Sequence, residues 1–242
     1  MESHANNRLS VEGAPSEGAP PVSSVTAPPR TAGSIVSVET HSRIAALTFD
    51  DGPHPQFTPR LLDVLNEHGA RATFFMIGKA AQQQRDIVAR VASAGHAIGN
   101  HSWDHPSFRT IGSPERRKQI LDCAKVLAPH EERLFRPPYK HQNEGSRHDA
   151  LSLGYQIVLW SVHAEDWIEQ EADDIYARLR CQIAPGSVIL LHDSLWPPCD
   201  ERAAADRSPM IHAVDLLLQE FTGRLRFVTV PELLRHGNAR IR

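Results

Sequence analysis

The chain has 242 residues, 40% hydrophobic and 23% charged, with a formal net charge of -3. This composition excludes disorder of the whole chain and offers no broad basic face for nucleic acid, so a small or neutral ligand is the expected partner. Three cysteines, Cys123, Cys181 and Cys199, lie far apart without a C-x-x-C pair, which argues against a thiolate zinc site and a disulfide framework alike.

In chain order, residues 1–36 are rich in Pro, Ala, Ser and Gly and hold almost no large apolar side chain, so they are expected to form a flexible leader. No apolar signal region opens the chain and no run reaches the roughly 18 to 20 apolar residues of a membrane span, so a cytoplasmic address is the default expectation. Residues 37–242 are expected to form one domain. Within it, 44–49 is a short apolar run ended by Asp50-Asp51-Gly52-Pro53, the pattern of a buried strand entering a turn. The spacing then predicts a helix over 58–68, capped by Thr58, a strand over 72–77, a helix over 79–94 closed by Gly95, and a strand over 97–100. A helix over 113–127, a strand at 133–135, a helix over 144–153 and a strand over 156–160 follow. Helix 173–183, strand 188–191, helix 209–221 and strand 227–230 complete the series. Strands and helices alternating in this way predict an α/β fold, a distorted barrel of about seven parallel strands, with chemistry gathered where the strands end.

Polar clusters stand at those ends. Asp50 and Asp51 are neighbours whose carboxylates would diverge on an extended backbone and so could do separate work. His101 and His105 are four apart, and one helical turn would put both imidazoles on one side; with one of the two aspartates they would form a 2-His-1-carboxylate metal site. With 14 histidines in the chain, such a pair is weak evidence alone. Arg136 closes the strand at 133–135, His163, Asp166 and Trp167 follow Trp160, and His192 ends the strand at 188–191. Taken singly, these are ordinary surface pairs, core aromatics and loop histidines.

Together they form an ordered set. Thr48-Phe49-Asp50-Asp51-Gly52, His101-Ser102-Trp103-Asp104-His105, Arg136-Pro137-Pro138-Tyr139, Asp166-Trp167 and Leu190-Leu191-His192 resemble, in order, the five motifs of the polysaccharide deacetylase (NodB-homology) family, carbohydrate esterase family four. The resemblance runs from about residue 43 to 235. It implies hydrolysis of an acetyl group, most often an N-acetyl, on an amino sugar, oligosaccharide or polysaccharide by metal-activated water. Asp51, His101 and His105 would hold a divalent ion, zinc by default and cobalt or nickel as alternatives. Asp50 would be the base, held by Arg136, and His192 the acid, oriented by Asp166. The Tyr139 N–H would face the oxyanion, while Trp167 and Leu190 would receive the acetyl methyl. Lys140 departs from the glycine usual after the tyrosine and adds a cation at the rim, an expectation of substrate tuning. His163 stands in place of an acidic residue, and His54 is read as a loop residue, not a ligand. An acetylated carbohydrate is the implied partner, with no obligate protein partner. A non-catalytic glycan binder and a hydrolase of a small non-sugar amide or cyclic ureide remain the other readings.

Overall fold

The computed structural model describes residue 1, residues 32–196 and residues 206–242. Most of the expected leader, residues 2–31, lies outside the described residues, as does Cys199. Strand β1 (Ser34–Glu39) begins ahead of the expected boundary at 37. Seven strands form a parallel run in the order β6 (Gln156–Val158), β5 (Glu131–Phe135), β4 (Ala97–Asn100), β3 (Ala72–Met76), β2 (Ile44–Asp50), β8 (Val188–His192) and β7 (Val162–His163). Strand β1 lies beside β6 and bridges at Ser37 to Ser187, just ahead of β8, so it links the β6 end of the run to β8 across the gap. The barrel expected from the sequence is thus present, open on one side and patched by its first strand.

Period-2 alternation explains how the strands serve two cores at once. In β2, Ala45, Leu47 and Phe49 point outward to the large apolar layer that includes Leu61, Leu65, Val214 and Leu217. Ile44 and Ala46 point into the barrel, where they meet Val38, Phe75, Val158, Val188 and Val228. Both faces being covered, every residue of β2 is buried, which is why it reads as a continuous apolar run. The inward parity of β2 continues through Thr48 to Asp50. In β8 the same parity runs through Val188 and Leu190 to His192, and the two strands pair in register Thr48 to Leu190 and Asp50 to His192. The polar residues are inward-facing positions at the point where apolar filling stops.

Helices α1 (Phe57–Glu67), α4 (Ser113–Leu127), α5 (Glu144–Ser152), α6 (Ala172–Arg180) and α7 (Ser208–Phe221) match the expected ones to within a few residues. Three expectations need correction. The helix over 79–94 is two, α2 (Gly78–Gln83) and α3 (Arg85–Ser93), broken at Gln84 so that the first packs on α4 and the second on α1 and β4. The strand over 227–230 shrinks to β9 (Arg226–Phe227), and helix α8 (Val230–Arg235) follows, capped by Thr229, whose side chain accepts from the Glu232 N–H at 3.2 Å. A last strand, β10 (Asn238–Ile241), pairs antiparallel with β1. Thr58 is not the cap of α1. It is buried inside the first turn, and its hydroxyl donates to the Asp193 carboxylate. Among the described residues, no helix is long and apolar enough to cross a membrane.

Candidate active site

The strand ends open into a cavity of about 410 Å³ lined by Asp50, Asp51, His101, His105, Tyr139, Lys140, Trp160, Trp167, Leu190, His192 and Trp196, among others. Asp51 reaches it by breaking the strand pattern, whereas His101 continues the inward parity of β4. After Asp50 an extended residue would point outward, but Asp51 has φ 73° and turns its carboxylate back into the mouth. Its Oδ1 lies 3.4 Å from His101 Nε2 and 3.3 Å from His105 Nε2, and the three candidate ligand atoms lie within 4.8 Å of one another.

The segment bearing the two histidines is not the helical turn expected. It is a loop in which Ser102 and His105 have φ 70° and 64°, and side chains replace the missing helical bonds. Asn100 Oδ1 accepts from Ser102 N–H at 3.0 Å, Ser102 Oγ accepts from His105 N–H at 3.1 Å, and Gln119 Oε1 accepts from the N–H groups of Trp103 and Asp104. His101 Nδ1 donates to the Arg136 carbonyl at 2.8 Å, which aims Nε2 at Asp51.

All three candidate ligands are buried, and Asp51 Oδ1 has no hydrogen-bond partner among the described residues. A buried carboxylate oxygen facing two imidazole nitrogens is costly unless something positive meets it. Burial alone would raise Asp51, yet closeness to His101 and the charges of His105, His192 and His101 hold it at about 2, so it is an anion ready to bind. Burial, helped by the neighbouring His101, lowers His105 to about 4, keeping its imidazole neutral and its lone pair free for a ligand bond. The donor set of one carboxylate and two imidazoles therefore fits a divalent transition ion. His54 is turned away from it: its Nδ1 accepts from the N–H groups of Gln56 and Phe57, and its ring stacks on Phe57 at 4.6 Å.

Beside this trio stands Asp50. Its Oδ1 accepts from Arg136 Nη1 at 2.7 Å, and its Oδ2 lies 3.7 Å from His101 Nε2. Arg136 is fully buried, not a surface cation. It donates also to Thr48 Oγ1 and to the carbonyls of Val158 and Leu159, and lies 4.0 Å from the centre of the Phe75 ring. His192, paired with Asp50 from the adjacent strand β8, bonds Asp166 Oδ1 through Nδ1 at 3.0 Å while its backbone N–H donates to Asp166 Oδ2 at 2.8 Å. Burial would push His192 down, but the charge and hydrogen bond of Asp166, aided by Asp51 and Asp50, raise it to about 9.

Sequence reasoning missed Arg207. Buried to 3% exposure at the start of α7, it donates from Nη2 to Asp166 Oδ2 at 2.8 Å and to the Asp166 carbonyl at 2.6 Å, and from Nε to the His192 carbonyl at 3.2 Å. Nothing local marks it, because its partners are 41 and 15 residues away in the chain. Leu190 lines the cavity floor, and Trp167 stands half-exposed, edge to face with His192 and stacked on His163, each at 5.6 Å. The Tyr139 ring leans on His105 at 4.4 Å and is 54% exposed. Its backbone, with φ 56°, forms a 3-10 turn over Pro138–Lys140.

The family model for polysaccharide deacetylases matches residues 37–158. A peptidoglycan-N-acetylglucosamine deacetylase of Bacillus cereus is 37% identical over 199 residues, 81% of this chain and 70% of the relative. A chitooligosaccharide deacetylase of Sinorhizobium fredii is 37% identical over 166 residues, 67% of this chain and 76% of the relative. Among solved structures, a peptidoglycan N-acetylglucosamine deacetylase superposes with a TM-score of 0.75 at 34% identity, over 85% of this chain and 94% of the other.

Proposed function

Because this chain belongs to the polysaccharide deacetylase family, whose members hydrolyse acetyl groups from carbohydrates, we propose that it is a metal-dependent N-deacetylase of an amino-sugar glycan working through Asp50 and His192. Asp51, His101 and His105 would hold the divalent ion. When bound, such an ion supplies Lewis acidity, which brings the pKa of water from 15.7 toward about 7 and polarises a carbonyl.

The observation that supports the reading is that two proton-handling groups, Asp50 and His192, stand on paired strand ends and line the same cavity as the ligand trio. Asp50 has one oxygen engaged by Arg136 and the other turned toward the trio, so a carboxylate oxygen remains to take the proton of the attacking water. The water oxygen bonds to the acetyl carbon and the carbonyl oxygen becomes an oxyanion. The Tyr139 N–H is the donor proposed for it, since Pro137 and Pro138 have none, and one such donor is worth roughly 2.7 to 4 kcal/mol. As the C–N bond breaks, its electron pair stays on nitrogen and takes the proton of His192, releasing acetate and an amine. Leu190 and Trp167 offer the acetyl methyl an apolar wall. Nothing in the site favours a small cyclic ureide over a sugar, whereas the half-exposed Trp167 and exposed Tyr139 give pyranose rings flat faces to rest on.

Acetate release from chitooligosaccharides and from peptidoglycan glycan strands tests this reading. Release is expected with added zinc, cobalt or nickel and should vanish with chelator. Asp50→Asn should lower kcat by about 10²- to 10⁴-fold while the protein still retains its metal. No release from any acetylated glycan by the metal-loaded protein would overturn the assignment.

A further inference from the structure

Lys140 is the unexplained charge of the cavity. Asp50 is matched by Arg136, and Asp166 by His192 and Arg207. Lys140 lines the same cavity, half-buried, and among the described residues no carboxylate lies within ion-pair distance of it. Its ammonium instead rests 4.9 Å from the centre of the Trp160 ring, on an aromatic that also lines the cavity and that meets the guanidinium of Arg136 at 5.6 Å.

The backbone makes the residue's presence harder to dismiss. Lys140 has φ 59° and follows Tyr139 at φ 56°, so two consecutive residues with Cβ atoms occupy the left-handed region. Glycine would sit there without strain, and asparagine or aspartate with little. A lysine gains nothing at that φ, and strain of this kind persists where the side chain has a task. The Trp160 face holds the ammonium at the wall of the cavity instead of letting it swing into solvent, where its charge would be screened.

We propose that Lys140 is a specificity-determining residue that pairs with a carboxylate on the substrate, so that the preferred glycan is an acidic one bearing a carboxylate close to the acetylated amino group. This rests on the deacetylase reading given above and narrows its substrate class. A half-desolvated ammonium with no carboxylate partner among the described residues favours an anionic ligand in two ways: it forms a charge-assisted bond, and it steers the encounter at low salt.

The test compares two substrates that differ by one charge per disaccharide: a glycan strand alternating N-acetylglucosamine with lactyl-ether N-acetylmuramic acid, and the same strand with its carboxylates masked as methyl amides. Acetate release is measured for each, and the readout is the ratio of kcat/KM between the two. The wild-type ratio is expected to be about tenfold or more in favour of the acid, with most of the difference in KM, and to shrink as salt is raised. Lys140→Met and Lys140→Gly should bring the ratio to about one, whatever loss they share on both substrates, and Lys140→Arg should keep most of it. A wild-type ratio near one, or a ratio that survives Lys140→Met, overturns the proposal and leaves the deacetylase reading intact. No acetate from either substrate with the metal-loaded wild type overturns both.

Discussion

Asp166 carries three loads on one carboxyl group: a histidine side chain, a histidine backbone N–H and an arginine. Such sharing fixes where His192 can point, because its ring and its own main chain are gripped by the same carboxylate, while Arg207 grips that carboxylate from behind. Arg207 reaches the His192 ring only through the Asp166 carboxylate and the His192 carbonyl among the described residues, so it acts as a positioning residue. Arg207→Met removes charge-assisted hydrogen bonds worth about 1.5 to 3 kcal/mol each, so kcat should fall on the order of tenfold to a hundredfold with KM little changed. Arg207→Lys, keeping a donor and a charge, should recover part of it; steady-state kinetics on folded, metal-loaded variants decides. The contrast with Asp50 and Asp51 shows what the sequence can say about a site. Adjacent aspartates before a glycine and proline announce themselves, and so do two histidines four apart. The backbone that unites them does not: an extended Asp51 would face away, and a helical 101–105 would not need Asn100, Ser102 and Gln119 to brace it.

At the scale of elements, the parallel strands β2 and β3 were readable because both of their faces are buried and their residues largely apolar, whereas β5 begins with three polar residues and the two-residue β7 was too short to show a pattern. The two terminal strands were not, for the opposite reason. β10 is largely exposed and polar, and β1 alternates only weakly, so neither carries a pattern that distinguishes it from a loop; their pairing with each other is a long-range fact. Helix α8 is different, because its signal was present. Thr229 with Glu232 three residues on, and Pro231 between them, is a helix-start pattern hidden behind an apolar run that reads equally as strand. Thr229→Ala should therefore destabilise the fold by about 1 kcal/mol in urea unfolding, through loss of the side-chain bond to Glu232 N–H. The break at Gln84 had no such marker, since it follows from what the two half-helices pack against.

For the whole molecule, the histidine buried farthest from the chemistry sets a stability limit. His96 is 7% exposed, accepts from the Ala72 N–H through Nδ1 at 3.1 Å, and packs edge-on against Phe74. Burial, reinforced by the nearby Arg71 charge, lowers its pKa to about 4. The unfolded chain takes up this proton near pH 6.5 and the folded one only near 4, so the contribution is intact above 6.5 and is lost as pH falls through that interval. The loss amounts to about 1.4 kcal/mol per pH unit and roughly 3 kcal/mol in all. Urea midpoints measured from pH 7 to 4 should fall accordingly, and His96→Asn, which can still accept from Ala72, should flatten that part of the curve.

Among the described residues, seven other than glycine have positive φ, and six of them, Asp51, Ser102, His105, Tyr139, Lys140 and Glu165, belong to the loops that carry or adjoin the cavity. The barrel beneath them thus absorbs a conformational debt concentrated at its rim. Diversity introduced there by random mutagenesis will be filtered twice, once by chemistry and once by handedness, and valine, isoleucine and threonine will be rejected before any question of catalysis arises. Altered selectivity in this scaffold is therefore more accessible through side chains such as Leu190, in strand β8, and Trp160, just past β6, whose backbones carry no such constraint, than through the positive-φ loop positions that first invite redesign.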